Sequence, residues 1–186
     1  PLPGRELHLT LDAKMQQVAE DIMNGDDKSG AVVALDVNTG RVLALVSTPP
    51  IRLEEFIGGI SQKNWDAYLN NIKKPLINKA VQGVYPPAST YKMITALAGL
   101  EEGVIDLEAV YYCPGYHAFG NRIYRCWKWS GHGAVNLTRA IAESCDVYFY
   151  QVGQQVGVDG LAKYAKKLGL GVKTGLEIEH EKAGLI

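Results

Sequence analysis

The sequence has no run of about 18 apolar residues, so no segment of it is predicted to span a membrane. It has no excess of either charge, because 19 basic and 20 acidic side chains leave a formal net charge of -1. Nucleic-acid binding needs a concentrated excess of Lys and Arg, and the basic clusters are only pairs such as Lys166 and Lys167. We therefore expect neither a membrane-spanning chain nor a nucleic-acid-binding protein.

Cysteine is scarce, and Cys113, Cys126 and Cys145 form no CxxC pair. Their spacing matches neither a metal-binding framework nor a full set of disulfides, and whether Cys113 and Cys126 bridge is open. His132, between two glycines, is expected to be a hydrogen-bonded structural residue, and the other three histidines have no partner at ligand spacing. We therefore expect no metal and no cofactor.

The composition is that of a packed domain, with 47% hydrophobic and 21% charged residues. Two apolar runs within residues 30–48 meet at Asn38-Thr39-Gly40, which predicts a β-hairpin covered on both faces. A third strand is predicted over Glu6–Leu11, and residues 113–133 are expected to form an irregular excursion or hairpin. Helices are predicted after Asp12, from near Ala88 to Gly103, after Asn136, and over residues 147–156 and 159–168. This mixture indicates one α+β domain over residues 1–186.

Ser89 and Lys92 form a Ser-x-x-Lys motif in the first turn of a predicted helix. An i, i+3 spacing places the hydroxyl and the amine on one face, where a neutral lysine can take the proton of the serine. The helix N-terminus can also stabilise an oxyanion at an attacked carbonyl. The bare motif is expected about 0.4 times by chance, and the alternative is that Ser89 only caps the helix and Lys92 is only solvated.

Ser144-Cys145-Asp146 falls at the break between two predicted helices. Such a corner can direct a hydroxyl and a carboxylate into a cleft, although helix capping is again the alternative. Cys145 is expected to be buried and is not a candidate nucleophile. The two serine motifs therefore indicate an active site only in combination.

Together these motifs resemble the active-serine penicillin-binding proteins, in the stretch from Tyr85 to Lys92 and in Ser144–Asp146 followed by Val147-Tyr148-Phe149-Tyr150. Four further segments resemble class B members, particularly the penicillin-binding protein 2 type used in rod elongation: Leu9–Asp12, the predicted hairpin over residues 30–48, Pro75–Ala80 and Gly131–Gly133. The resemblance implies the α+β transpeptidase fold shared with β-lactamases, an antiparallel sheet packed with helices.

The resemblance also implies a peptidoglycan D,D-transpeptidase that forms an acyl-enzyme and is acylated by β-lactams. Ser89 would attack the donor stem peptide, Lys92 would be the general base, Ser144 would relay a proton to the leaving nitrogen and Asp146 would position both. The implied partners are the stem peptide and a wall-elongation glycosyltransferase complex. The implied location is the periplasm, at the outer face of the bacterial inner membrane, where the parent protein would be anchored.

Lys173-Thr174-Gly175 matches the third motif of that family but follows Ser144 too closely and precedes Leu176 rather than a small or hydroxyl residue. We expect this match to be a decoy and the true third motif and the C-terminal strands to lie beyond Ile186. This chain would then be the N-terminal part of the transpeptidase domain and would be inactive alone. Two alternatives are open. One is a non-catalytic scaffold or binding module of the wall-synthesis complex. The other is a β-lactamase or β-lactam sensor, which differs from a transpeptidase in whether the acyl-enzyme is hydrolysed.

Overall fold

The computed structural model describes Gly4 and residues 6–186. The chain forms two compact units, one running to Val84 and including Leu176–Lys182, the other comprising Tyr85–Gly175 and Ala183–Ile186. Within the described residues, each helix is too short or too polar to cross a bilayer. Helices and short antiparallel strands are both present, as the α+β prediction requires.

The first unit is built on a hairpin of β1 (Gly30–Leu35) and β2 (Val42–Thr48). Asp36 closes its turn, since its carboxylate accepts hydrogen bonds from the Asn38 N–H and the Thr39 hydroxyl. Helix α1 (Ala13–Gly25) packs on β2, and two short helices follow, α2 (Gln62–Asn70) and α3 (Lys79–Gln82). The predicted hairpin is confirmed, and so is the Asp12 cap, whose side chain accepts the Met15 N–H at 2.8 Å.

Two details of this unit differ from the prediction. Glu6–Leu11 forms no strand, because it reaches β2 only at its far end, where the Thr10 hydroxyl donates to the Val42 carbonyl. The hairpin is packed on one face only: Val33 and Leu35 of β1 are exposed, whereas Val46 of β2 is buried. Apolar composition alone does not show whether both faces of a strand are covered.

The second unit is helical at its centre. Helices α4 (Lys92–Glu101) and α6 (Asp146–Lys167) pack closely, and α5 (Leu137–Ala142) precedes α6. A Cβ atom at Gly99 would lie 2.8 Å from Val152, so the absent side chain is what allows this approach. The two helices predicted over residues 147–168 are the halves of α6, which is kinked at Gly157, where φ is 74°.

Residues 111–135 form two further strand pairs. The outer pair is β3 (Tyr111–Cys113) with β6 (Gly133–Val135), and the inner pair is β4 (Tyr116–Phe119) with β5 (Arg122–Arg125). The predicted excursion is therefore a hairpin nested between two short strands. The described residues hold six strands rather than the three predicted, since strands of three or four residues are too short to show an alternating pattern.

Candidate active site

Ser89 lies in a single 3₁₀ turn, Ala88–Tyr91, that continues directly into α4. The turn begins with Ala88 at φ 50°, a left-handed conformation that is unfavourable for alanine. Strain of this kind is retained where the surrounding structure requires it, often at active sites. Ser89 is exposed, and Lys92, the first residue of α4, is largely buried.

Ser144 and Asp146 are held by the turn between α5 and α6. Ser144 is also left-handed, at φ 50°, and the Cys145 N–H donates to the Ala140 carbonyl at 2.9 Å. Trp127 braces this turn from outside: its indole N–H donates to the Glu143 carbonyl at 3.0 Å and its backbone N–H donates to Asp146 Oδ2 at 2.9 Å. The position of the Ser144 hydroxyl is thus set by contacts on both sides.

All four predicted site residues meet in one hydrogen-bond network. Lys92 Nζ donates to the Ser144 carbonyl at 2.9 Å, to Ser144 Oγ at 2.9 Å and to Asp146 Oδ1 at 2.6 Å. Ser144 Oγ in turn donates to Ser89 Oγ at 3.2 Å. The Lys92 and Asp146 side chains are 13% and 21% exposed, so this ion pair is partly shielded from water.

The path from Ser89 to Lys92 in this network passes through the Ser144 hydroxyl. A hydroxyl can both donate and accept, and it rotates, so it can carry a proton either way between its two neighbours. The i, i+3 spacing correctly places Ser89 and Lys92 on one side of the turn. It gives no indication that a third residue, 55 positions from Ser89, lies between them.

A cavity of about 370 Å³ opens at this network and is also lined by Phe149 and Tyr150. Lys92 Nζ lies 5.8 Å from the centre of the Phe149 ring. Burial raises the pKa of the Tyr150 phenol, so this group remains a neutral hydrogen-bonding group. The sequence analysis did not assign these two residues a role, although their spacing from Asp146 on one helix places them on the same face.

Cys145 sits behind the network. Burial raises the pKa of its thiol to about 12, which makes it a poor nucleophile, as predicted. It lies in a buried cluster with Cys113, Cys126 and His132, and one ligand atom from each lies within 4.8 Å of the others. Burial also lowers the pKa of His132, which favours the neutral imidazole. These four donors could hold a metal ion, which the sequence spacing did not indicate.

Lys173, Thr174 and Gly175 lie in irregular chain after α6, and no strand runs through them. The third motif of the family would be expected on a strand, so whether this segment has an active-site role stays a prediction.

The family described as penicillin binding protein transpeptidase domain matches residues 30–186, and the chain belongs to that family. The peptidoglycan D,D-transpeptidase MrdA of Acinetobacter baumannii is 43% identical over 187 residues, and MrdA of Escherichia coli K12 is 44% identical over 186. These alignments cover 100% and 99% of this chain.

Solved structures give the same result for the fold. Pseudomonas aeruginosa PBP2 in complex with WCK 5153 superposes with a TM-score of 0.91 at 38% identity, covering 100% of this chain and 42% of that one. Helicobacter pylori PBP2 in complex with MreC gives 0.89 at 36% identity, covering 94% and 33%. The chain spans only 28% and 29% of the lengths of the two MrdA relatives.

Proposed function

We propose that the protein containing this chain is a peptidoglycan D,D-transpeptidase that cross-links wall stem peptides through an ester on Ser89. Ser89 Oγ attacks the carbonyl of a donor ending in D-Ala-D-Ala, the peptide bond breaks and the terminal D-alanine leaves as its amine. An acceptor amine then attacks the ester, and Ser89 is released. The observation that carries this proposal is the single network joining Ser89, Ser144, Lys92 and Asp146.

The network also suggests how Lys92 becomes a base. An ammonium has three N–H donors, and all three are used here, so the ion-paired lysine holds Ser144 and has no lone pair to accept a proton. A donor peptide that fills the cavity expels water, which disfavours two opposite charges relative to a neutral pair. Transfer of one proton from Lys92 to Asp146 along the 2.6 Å bond gives a neutral amine and a carboxylic acid.

The neutral amine then takes the Ser89 proton through the Ser144 hydroxyl as the new ester bond forms. The resulting ammonium returns a proton through Ser144 to the leaving nitrogen. Ser144 is thus the relay in both directions, and Asp146 positions Lys92 and stores one proton. β-Lactams acylate Ser89 by the same attack, because their strained amide resembles the donor.

The test is intact-mass spectrometry after incubation with a penicillin, followed by peptide mapping. We expect one adduct on Ser89 in the wild type, none in Ser89→Ala, and acylation slowed about 10²- to 10⁴-fold in Lys92→Ala and Ser144→Ala. Ser29→Ala, at an exposed serine of the first unit, is the matched control and should acylate normally.

An adduct that persists in Ser89→Ala would remove Ser89 from the mechanism. If this chain forms no adduct, a chain extended to the length of the MrdA relatives decides. No adduct there either would refute the proposal, and an adduct would show that acylation requires residues outside this chain. Rapid hydrolysis of the adduct would indicate a β-lactamase instead. A stable adduct without cross-linking would indicate a sensor or a scaffold.

We further propose that the parent protein works at the outer face of the bacterial inner membrane, beside a wall-elongation glycosyltransferase. The support is that the similar solved structures include PBP2 in complex with MreC and a peptidoglycan synthase complex. Co-purification of the full-length protein with a glycosyltransferase from cross-linked membranes tests this. Recovery in the cytoplasmic fraction alone would contradict it.

A further inference from the structure

A second cavity adjoins the active-site network at the turn between α5 and α6. Its volume is about 620 Å³, and it is lined by Trp127, Lys128, His132, Ala142, Glu143 and Ser144. The Ser144 hydroxyl donates to Ser89 Oγ at 3.2 Å, so a residue in the wall of this cavity also contacts the proposed nucleophile. A molecule bound here would therefore reach the hydroxyl relay without filling the cavity that contains Ser89 itself.

Lys128 gives this cavity an unpaired positive charge. The side chain is half-buried, and no carboxylate in the described part of the chain forms an ion pair with it. Glu143 is already bound by Arg139 through a 2.7 Å hydrogen bond, which lowers the pKa of the Glu143 carboxyl. In the neighbouring network, Lys92 is paired with Asp146. The remaining charge of Lys128 favours a ligand with an anionic group.

Trp127 gives the cavity an apolar wall whose position is fixed. Its indole N–H donates to the Glu143 carbonyl at 3.0 Å, and its backbone N–H donates to Asp146 Oδ2 at 2.9 Å. Both polar groups of Trp127 thus bind within the protein, yet the residue is 60% exposed. The surface that it leaves open is mainly the apolar ring. Beside Lys128, this ring suits an aliphatic group that carries a carboxylate.

Of the two peptides in the proposed reaction, the acceptor is the one that suits this cavity. The donor carbonyl must contact Ser89, so the acyl group lies in the cavity lined by Ser89, Lys92 and Tyr150. The acceptor must bind while that acyl group is still in place. The second cavity is lined by none of these three residues, so it remains available in the acyl-enzyme.

We propose that this second cavity binds the acceptor, and that the acceptor is an amine that also carries a carboxylate. Lys128 binds the carboxylate, the Trp127 ring packs against the carbon chain, and the amine lies beside Ser144 Oγ. The neutral amine attacks the ester carbonyl, so a C–N bond forms and the C–O bond to Ser89 breaks. One proton of the amine passes through Ser144 Oγ to Ser89 Oγ, along the hydrogen bond already present.

The transfer step rests on the proposed function, whereas binding of the carboxylate does not. Lys128 is thus a specificity residue that selects the acceptor, and it takes no part in acylation. The two roles are measured separately, binding in this chain and transfer in a longer one.

Binding is measured by NMR spectroscopy, from the Trp127 indole N–H resonance of the 186-residue chain during titration with D-alanine. Trp127→Phe assigns the resonance. We expect a saturable shift, and at least about tenfold weaker binding of D-alaninamide, which lacks the carboxylate. Lys128→Met should weaken binding of D-alanine to the level of D-alaninamide. Lys166→Met, at an exposed lysine of α6, is the matched control and should bind D-alanine like the wild type.

Transfer is measured in a chain extended to the length of the MrdA relatives and acylated by a thioester analogue of the donor. The readout is the ratio of the product formed with D-alanine to that formed with D-alaninamide. Lys128→Met should lower this ratio at least about tenfold, while penicillin should acylate Ser89 at the wild-type rate. Lys128→Arg should restore most of the ratio, because a guanidinium also binds a carboxylate.

Three results would overturn this proposal. The first is a Trp127 resonance that does not respond to D-alanine in the folded wild type. The second is an unchanged product ratio in Lys128→Met. The third is slower acylation by penicillin in that variant, which would assign the Lys128 charge to the donor. Carboxylate-dependent binding of D-alanine without acylation of Ser89 in either chain would count against the proposed function instead and would leave the binding site.

Discussion

Asp146→Asn tests the network at the point where it carries charge. The two oxygens of Asp146 accept from different donors, Oδ1 from Lys92 Nζ at 2.6 Å and Oδ2 from the Trp127 N–H at 2.9 Å. Asparagine has the same shape but only one acceptor oxygen. If the asparagine carbonyl oxygen faces Lys92, the asparagine NH₂ group faces the Trp127 N–H. In the reverse orientation the NH₂ group faces the Lys92 ammonium. One donor therefore loses its partner.

The magnitude follows from the burial of the pair. Removing one partner of a fully buried ion pair costs about 3–5 kcal/mol, whereas one hydrogen bond to a charged group contributes about 1.5–3 kcal/mol. The side chains here are 13% and 21% exposed, and Lys92 keeps two bonds to Ser144, so we expect a loss of about 2 kcal/mol. For a chain of this size that lowers Tm by roughly 4–8 °C.

The assay is thermal and urea unfolding, followed by circular dichroism, with acylation by penicillin measured on the same samples. Asp159→Asn is the matched control, because Asp159 is an exposed acid on the same helix, and it should leave Tm within about 1 °C. A Tm for Asp146→Asn as close to wild type as that would refute the reasoning. A large loss of stability with acylation unchanged would instead show that Asp146 is structural only.

Two further predictions concern stability. Tyr148 is fully buried and its hydroxyl has no hydrogen-bond partner among the residues that the structure describes, whereas the Tyr164 hydroxyl donates to Glu102 at 2.9 Å. Tyr148→Phe should therefore raise the free energy of unfolding by about 1–3 kcal/mol, and Tyr164→Phe should lower Tm. Urea titration checks both, and destabilisation by Tyr148→Phe would contradict the assignment. Burial lowers the pKa of Lys79, so the unfolded chain binds more protons just below the ordinary value of 10.5 and stability should rise as the pH approaches it. Lys79→Met should remove that rise in pH-dependent melting curves, and an unchanged slope would refute the assignment.

The parts of the fold that local chemistry determines could be predicted from the sequence. Asp12 is an N-cap followed by helical spacing, and Asn38-Thr39-Gly40 has the composition of a tight turn. Glu6–Leu11 alternates like a strand, but a strand also needs a partner, and here no ladder forms. Local pattern therefore identifies helices and turns better than it identifies the pairing of strands.

The members of the candidate active site could be predicted because the family resemblance joined the two serine motifs. Ser89 and Lys92 lie three residues apart, so their proximity follows from helical geometry. That Ser144 lies between them depends on how α4 packs against α6, which no spacing rule contains. Sequence chemistry thus identified the members of the network, and tertiary packing determined their order within it.

The cysteine cluster also depends on tertiary packing that spacing in the sequence does not show. Cys113, Cys126 and Cys145 are separated by 13 and 19 positions, outside the short intervals by which metal sites are recognised in a sequence. Short intervals arise when one turn supplies two ligands, whereas here each cysteine lies at the end of a different element. The indication lies instead in the glycines: a Cβ at Gly115 or Gly131 would collide with the backbone, so the chain must fold back tightly beside the first two cysteines. Because Cys145 also separates Ser144 from Asp146, the same folding places the cluster and the network on the two sides of one turn.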